Sequence, residues 1–470
     1  MSGPARRALV LGLGRFGGGQ EAAAFLLRRG WRVRIADRAP AETLREAAAA
    51  LAEHEAIEWQ LGREDEELLA GVDLLVVNPA VGLQHPLVLA ATRMGIPISQ
   101  EVNLFLEHYP GRVVLVTGTK GKSTTATLLA RALERSGHDT LLGGNIGRSL
   151  LGAERDWRGG QIAVLEVSSF QLTRVDPSRH AVAGAVLVRI GRDHLDWHGS
   201  LHAYHAAKGM AAALARDFLV HGADDPVAAG FASAATRRST FARGGRDGAE
   251  CVCVDGWVHA RLRGASGPVL HLDALRLLGA FHQENVMAAF LAAAALGADR
   301  HLSALALVAQ EPLPFRLQHA LTVRGVRIYD NAVSTELDST VSALESLQGP
   351  VRWVGGGKTK DGDFGRVADA VAPRAASAHL FGAAAQPLGE LLGGRLPVTV
   401  HTTLRAALAA ALETARPGDA LLFSPAFASF DQYLNFRARA EDFRGWLRAL
   451  VSPASDPARS TAPGQESDPA

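Results

Sequence analysis

Lys122, Ser123 and Thr124 close a glycine-rich turn in VVLVTGTKGKSTTATLLA, residues 113–130. Four apolar residues lead into the turn and an apolar-periodic stretch leaves it, so the order is strand, loop, helix. The backbone N–H groups of Gly118, Thr119, Lys120 and Gly121, with the helix N-terminus behind them, can cradle phosphate. Lys122 can reach terminal phosphoryl oxygens and Ser123 can hold Mg²⁺, with Thr124 beside it in the first turn. The common phosphate loop has a glycine where this chain has Val116. The loop is therefore a shortened variant, G-T-K-G-K-S-T, which narrows the set of proteins that carry it. The bland alternative is a glycine-rich turn after any buried strand.

Other chemistry-bearing residues follow apolar strands. Glu166 ends one in VLEVSSFQL, where a carboxylate beside a phosphate loop usually holds Mg²⁺. A solvated strand-end glutamate is the alternative. His194, in DHLD after AGAVLVRI, is a candidate ligand for a metal or a substrate, against a structural histidine. Lys208, in YHAAKGM, lies on an expected helix, where a surface lysine is the bland reading. Asn145, in GGNIG, could meet a substrate or phosphate, or simply tolerate a positive φ in a turn. Nearer the start, Gly12-Leu13-Gly14-Arg15-Phe16-Gly17 follows a strand and opens a helix, and Asp37 ends the next strand. That matches the dinucleotide fingerprint in outline. A pyrophosphate held there could belong to NAD or to a nucleotide-sugar, and a tight turn with no ligand is the third option.

The elements that must position these groups alternate. Stretches 8–14, 31–37, 73–80 and 96–100 read as strands separated by Ala/Leu/Glu-rich helices. The same alternation runs through 162–169 and 183–190, then through VRIYDNA, VRWVGGG, SAHLFGA and DALLFSPA. Repeated βαβ units imply parallel sheets covered on both faces, an α/β fold. Breaks near His108–Arg112 and Pro312–Phe315 divide the chain into 1–108, 109–313 and 314–451. Residues 240–275 read as a small antiparallel insertion. The stretch 452–470, rich in Pro, Ser and Ala, is expected to be disordered.

Composition excludes several classes. Lys+Arg 49 against Asp+Glu 48 leaves a net charge of +1, so no basic face calls for nucleic acid. The only cysteines, Cys251 and Cys253, rule out a disulfide framework and suit a reducing compartment. No apolar run reaches the length of a membrane span and no signal peptide is evident, so a cytoplasmic protein without membrane insertion is expected.

In order and spacing, GTKGKST, GGNIG, LEVSSFQL, RDHLDWH and YHAAK resemble the ATP-dependent Mur ligases. The last third, with GGGKTKDGDF (355–364) and LLFSPAFASFDQYLNFRARAEDF (421–443), resembles the branch that adds D-glutamate. The resemblance covers about residues 6–450. It implies a Rossmann-like N-terminal domain for the uridine nucleotide, a central ATPase domain with a mainly parallel sheet, and a Rossmann-like C-terminal domain. It implies a monomer in cytoplasmic peptidoglycan precursor synthesis, serving cell-wall biogenesis, cell shape and division. Its substrates would be UDP-N-acetylmuramoyl-L-alanine, D-glutamate and ATP, with two Mg²⁺ ions, replaceable by Mn²⁺.

The resemblance also assigns roles. Lys122 and Ser123 would bind the β/γ-phosphates and one ion, Glu166 would ligate Mg²⁺, and His194 would hold the second ion. Lys208 matches a carbamylated lysine, in which a CO₂ adduct gives a carboxylate-like metal ligand. Asn145 and Ser168 would contact the muramoyl-alanine side. Arg15, Phe16, Asp37 and Arg38 would bind uridine diphosphate, and Asn285, Arg316 and Asn331 would touch ATP. Lys360, Ser429 and Phe436 would surround D-glutamate.

This chain departs from the family pattern at several points. Phe281-His282 replaces the usual His-Asn ahead of Asn285, and Ala80 stands where glycine is common. Where the family reads YNDSKAT, this chain has Tyr329-Asp330-Asn331-Ala332-Val333-Ser334-Thr335. Acid and amide are exchanged, and Val333 removes a cation for the incoming carboxylate. That keeps a superfamily ligase with a different acceptor or substrate as one alternative. A nicotinamide-dependent oxidoreductase, resting on GLGRFG alone, is the alternative from another class.

Overall fold

The computed structural model describes residues 5–13, 17–51, 57–146, 149–262, 264–359 and 362–451. The expectation for 452–470 lies outside them. Two compact units result, one up to Arg276 plus Phe281–Gln310, the other Leu277–Ala280 plus the chain from Glu311.

The first unit holds two sheets. One has the strands β1 (Arg7–Leu11), β2 (Arg32–Asp37), β3 (Ile57–Leu61), β4 (Leu74–Val77) and β5 (Ile98–Ser99), all parallel, in the order β3-β2-β1-β4-β5. Strand order reverses between β1 and β4, which is where open α/β sheets bind ligands. Gly12 (φ 84°) leaves β1 there, and a Cβ on it would lie 2.9 Å from Asn78 Cβ just past β4. The expected strands are trimmed for such local reasons: Gly12 ends the first and Pro79 follows the fourth.

The second sheet has β6 (Arg112–Thr117), β7 (Thr140–Gly144), β8 (Ile162–Glu166), β9 (Val182–Leu187), β10 (Ala215–Gly222), β11 (Arg237–Arg243), β12 (Cys251–Val254), β13 (Trp257–Leu262) and β14 (Ala265–His271). Their order is β14-β13-β12-β11-β10-β9-β6-β8-β7. The central strands are buried along nearly their whole length, as continuous apolar runs in a doubly covered sheet must be. The small antiparallel insertion expected at 240–275 is found only in part: β12–β13 and β13–β14 pair antiparallel, whereas β11 pairs in parallel with both β10 and β12, so the stretch extends the central sheet. The helix His282–Ala295 packs across β10, β11 and β12, which binds them into one layer.

The two sheets share a core rather than a seam. Tyr109, between them in sequence, stacks on Phe105 at 4.7 Å and meets Trp157 edge-on at 5.6 Å. Gln100 donates to the Gln171 carbonyl at 2.5 Å and Asn103 to that of Arg174 at 2.9 Å. The break expected at His108–Arg112 therefore separates two sheets within one compact unit.

The second unit carries β15 (Gln318–Val323), β16 (Val326–Asp330), β17 (Val351–Gly356), β18 (Ser377–Phe381), β19 (Val398–His401) and β20 (Ala420–Ala426), in the order β15-β16-β20-β17-β18-β19. All pairs are parallel except the β15–β16 hairpin. Trp353 is fully buried in β17 and donates from Nε1 to the Ser424 carbonyl at 2.8 Å. Among the described residues no helix is long and apolar enough to cross a membrane.

Trp353→Ala removes a fully buried ring and its hydrogen bond, and is expected to cost about 3–5 kcal/mol. Urea denaturation of the full chain measures it, and a loss under about 1 kcal/mol, the size of a surface change, contradicts this packing.

Candidate active site

Polar chemistry in the first unit collects at the C-terminal ends of β6, β8 and β9. β6 and β8 are neighbours in register, Val116 opposite Glu166, so the phosphate loop and the Glu166 carboxylate emerge side by side. The loop needs its glycines. A Cβ on Gly118 (φ 154°) would lie 2.5 Å from Val188 Cγ2, and one on Gly121 (φ 86°) would collide with Asn285 Oδ1. The helix Lys122–Arg135 starts at once, with Gly121 as its left-handed cap. Lys122 Nζ curls back to the carbonyls of Gly118 (3.1 Å) and Thr119 (3.0 Å). Ser123 and Thr124 are buried in the first turn, while Lys120 is exposed. Asn285, on the helix His282–Ala295, accepts from Thr125 Oγ1 at 3.2 Å, which seats its amide against the loop.

Glu166 is buried, 2% exposed. Its Oε1 accepts from Asn145 Nδ2 at 3.0 Å, and among the described residues its Oε2 has no hydrogen-bond partner. Lys208 is not a surface lysine: it is 2% exposed and projects inward from the helix Leu201–Leu214. Its Nζ donates to Thr117 Oγ1 at 3.0 Å and lies 5.6 Å from the Tyr204 ring centre. Burial, reinforced by Lys122, holds the Lys208 amine well below the ordinary lysine range, while Glu166 and Asp193 pull the other way. His194 adopts a left-handed conformation (φ 51°) ahead of the short helix Leu195–His198, against Phe170 at 4.8 Å and 3.5 Å from Asp193 Oδ2. Ser168 caps the short helix Ser169–Leu172, after β8, and shares a reciprocal capping box with Gln171.

These residues fit a hard divalent cation. An anionic oxygen without a partner beside a phosphate cradle is what such an ion neutralises, and oxygen ligands suit Mg²⁺. Among the described residues no three His, Cys, Asp or Glu side chains converge as an all-protein cage. That agrees with a cation held partly by phosphates and water, as Mg²⁺ usually is.

The glycine turn after β1 is fastened by Asp37, whose Oδ2 accepts from Leu13 N (3.0 Å) and Oδ1 from Ala39 N (2.9 Å). Arg38 is exposed beside it. Arg15, Phe16 and Lys360 lie outside the described residues. In the second unit, Asn331 is buried: its Oδ1 accepts from Leu317 N (3.2 Å) and its Nδ2 donates to Ser424 Oγ (3.0 Å). Arg316, next to the buried Leu317, is exposed. Lys358 and Ala428 exchange backbone hydrogen bonds, which joins the GGGK loop to the loop carrying the buried Ser429. Phe436 begins the helix Phe436–Val451.

Sequence reading missed two residues of this site. Thr117 accepts from Lys208 and donates to the Val167 carbonyl at 2.8 Å. Tyr204 shares a 2.8 Å hydrogen bond with Thr119 Oγ1. One signal for Tyr204 was present, since it sits four residues before Lys208 and so on the same helix face.

A phosphate loop at the end of a parallel sheet, with a buried carboxylate and amine beside it, fits a protein that uses a nucleoside triphosphate. The chain belongs to the Mur ligase family. Residues 116–293 match the Mur ligase middle domain, 6–100 the MurD-like N-terminal domain and 315–427 the glutamate ligase domain. Over 449 residues it is 34% identical to a protein of Acidobacterium capsulatum named UDP-N-acetylmuramoylalanine–D-glutamate ligase, covering 94% of this chain and 96% of that one. A protein of Symbiobacterium thermophilum with the same name is 36% identical over 458 residues, covering 94% and 98%. Among solved structures, UDP-N-acetylmuramate–alanine ligase from Thermotoga maritima superposes with a TM-score of 0.59 at 16% identity, covering 95% of this chain and 99% of that one. A pseudomurein peptide ligase type C from Methanothermus fervidus gives 0.59 at 17%, covering 95% and 100%. Both likenesses concern the fold.

Gly121→Ala puts a Cβ onto the Asn285 amide at a left-handed position, and is expected to weaken ATP binding at least about tenfold, or ~1.4 kcal/mol. Calorimetric titration of the folded variant measures it; unchanged affinity contradicts the role of this turn.

Proposed function

We propose that this chain joins D-glutamate to UDP-N-acetylmuramoyl-L-alanine at the expense of ATP, through an acyl phosphate, in peptidoglycan precursor synthesis. The observation that carries the reading is one buried neighbourhood in which Lys122, Glu166 and Lys208 flank a phosphate cradle. Relatives named for this activity at 34–36% identity over nearly the whole chain support the substrates. The oxidoreductase reading of the glycine turn leaves Glu166 and Lys208 without a task.

A carboxylate acylates poorly, so the terminal carboxylate of the muramoyl-alanine attacks the γ-phosphorus and ADP leaves. The D-glutamate amine then attacks the acyl carbon, loses a proton, and inorganic phosphate departs. Phosphoryl transfer wants positioning and charge neutralisation. Gly118, Thr119, Lys120 and Gly121 supply N–H groups, Lys122 a cation, and Ser123 and Thr124 the first turn. Asn285, Arg316 and Asn331 orient the nucleotide. Bound Mg²⁺, or Mn²⁺ in its place, would neutralise phosphate charge at two positions that Ser123, Glu166, His194 and Lys208 hold. Lys208 does so as a carbamate, its amine having added CO₂ and released a proton. Asn145 and Ser168 orient the muramoyl-alanine, and Arg15, Phe16, Asp37 and Arg38 the uridine diphosphate. Lys360, Ser429 and Phe436 surround D-glutamate; with Val333 in place of a lysine, Lys360 and Ser429 carry more of its carboxylate binding.

The domains run 1–108, 109–313 and 314–451, and the protein works as a cytoplasmic monomer.

An acceptor screen tests the substrate. With UDP-N-acetylmuramoyl-L-alanine and ATP, phosphate release is expected to depend on D-glutamate and not on L-glutamate, D-aspartate or L-lysine. Release driven by another of these overturns the D-glutamate assignment, with Val333 the first residue to blame.

A further inference from the structure

The exchange of acid and amide at Asp330-Asn331 has a physical partner elsewhere in the second unit. Phe315 (φ 66°) and Leu317 (φ 47°) both take left-handed conformations, which side chains with a Cβ resist, and they flank Arg316. Three contacts hold them. Leu317 N donates to Asn331 Oδ1 at 3.2 Å, Val333 N donates to the Phe315 carbonyl at 3.3 Å, and the Arg444 guanidinium lies 3.9 Å from the Phe315 ring centre. Arg444, on the helix Phe436–Val451, is anchored in turn by Asp330, with Nε 3.6 Å from Oδ2, and it lies 3.8 Å from Glu441. Asp330 is almost wholly buried, and its Oδ1 accepts from Ala332 N at 3.0 Å.

An acid at 330 thus gives Arg444 an anion. An amide at 331 does what a carboxylate there could not: it accepts from Leu317 N while donating to Ser424 Oγ at 3.0 Å. With the family's order, amide then acid, residue 330 carries no anion for Arg444 and residue 331 has no N–H to donate to Ser424 Oγ.

We propose that Asp330, Arg444 and Phe315 form a strap that, with Asn331, fixes residues 315–317 in their strained conformation and so sets the direction of Arg316. Asp330, Arg444 and Phe315 are positioning residues. The link to catalysis rests on the reading of Arg316 as an ATP contact; the strap itself does not.

Hydrogen exchange and steady-state kinetics on the full-length enzyme test it. Arg444→Met keeps the stem and removes the cation, Asp330→Asn removes the anion, and Phe315→Leu removes the ring. Each is expected to speed exchange of the Leu317 and Val333 amides about tenfold, the loss of one desolvated cation–π or ion contact. Each is also expected to raise the KM for ATP while leaving that for the uridine substrate unchanged, and Arg444→Lys should restore part of both. In an Arg316→Ala background the further effect of Arg444→Met on the ATP KM should vanish. Unchanged amide exchange in all three folded variants overturns the strap. Equal rises in every KM with a general loss of protection also overturn it, since that marks plain destabilisation. If Arg316→Ala leaves the ATP KM unchanged, the ATP reading of Arg316 fails, and the exchange result still decides the strap.

Discussion

The site depends on one constraint: an acid and an amine, Glu166 and Lys208, are both buried beside a loop built to receive phosphate. Taking two charges from water costs several kcal/mol per ion unless partners replace the solvent. Lys208 has a hydroxyl and an aromatic ring as neighbours, and burial disfavours its ammonium form. A neutral amine is the form that adds CO₂. The carbamate would turn a poorly placed cation into a second anion, and with Glu166 Oε2 it gives a divalent cation oxygen to bind. Sheet order makes this affordable in geometry, because β6 and β8 are adjacent and in register and so bring the loop and Glu166 out together.

The phosphate loop, Glu166, Asn145 and the glycine turn were legible because each is local: a strand, a tight turn and a helix start within a few residues. The parallel α/β architecture was legible from alternation alone. What escaped were long-range facts. The strand β11 reads as part of the antiparallel insertion because its parallel partners β10 and β12 are set by sheet order, which short-range pattern does not encode. Local sequence leaves a surface reading of Lys208 open beside the site reading that the resemblance implies, because nothing beside it in sequence says that its helix face turns onto Thr117. Tyr109, stacked on Phe105 and edge-on to Trp157, ties together two sheets that lie apart in sequence, and short-range pattern does not encode that either.

The second unit makes the point in reverse. The exchanged Asp330-Asn331 pair was visible as a departure from a family pattern, but its cause lay far along the chain at Arg444. The two adjacent residues have different tasks: Asp330 carries charge inward, and Asn331 accepts from a backbone N–H while donating to a side-chain hydroxyl. The left-handed Phe315 and Leu317 are the strained feature this arrangement supports.

The central claim, that buried Lys208 serves the site as an anion, is tested most directly by ¹³C NMR of the intact enzyme in ¹³C-bicarbonate with Mg²⁺. The account predicts one carbamate resonance per chain in the wild type and none in Lys208→Ala. A wild-type spectrum without that resonance, from enzyme that ligates at its full rate, contradicts it.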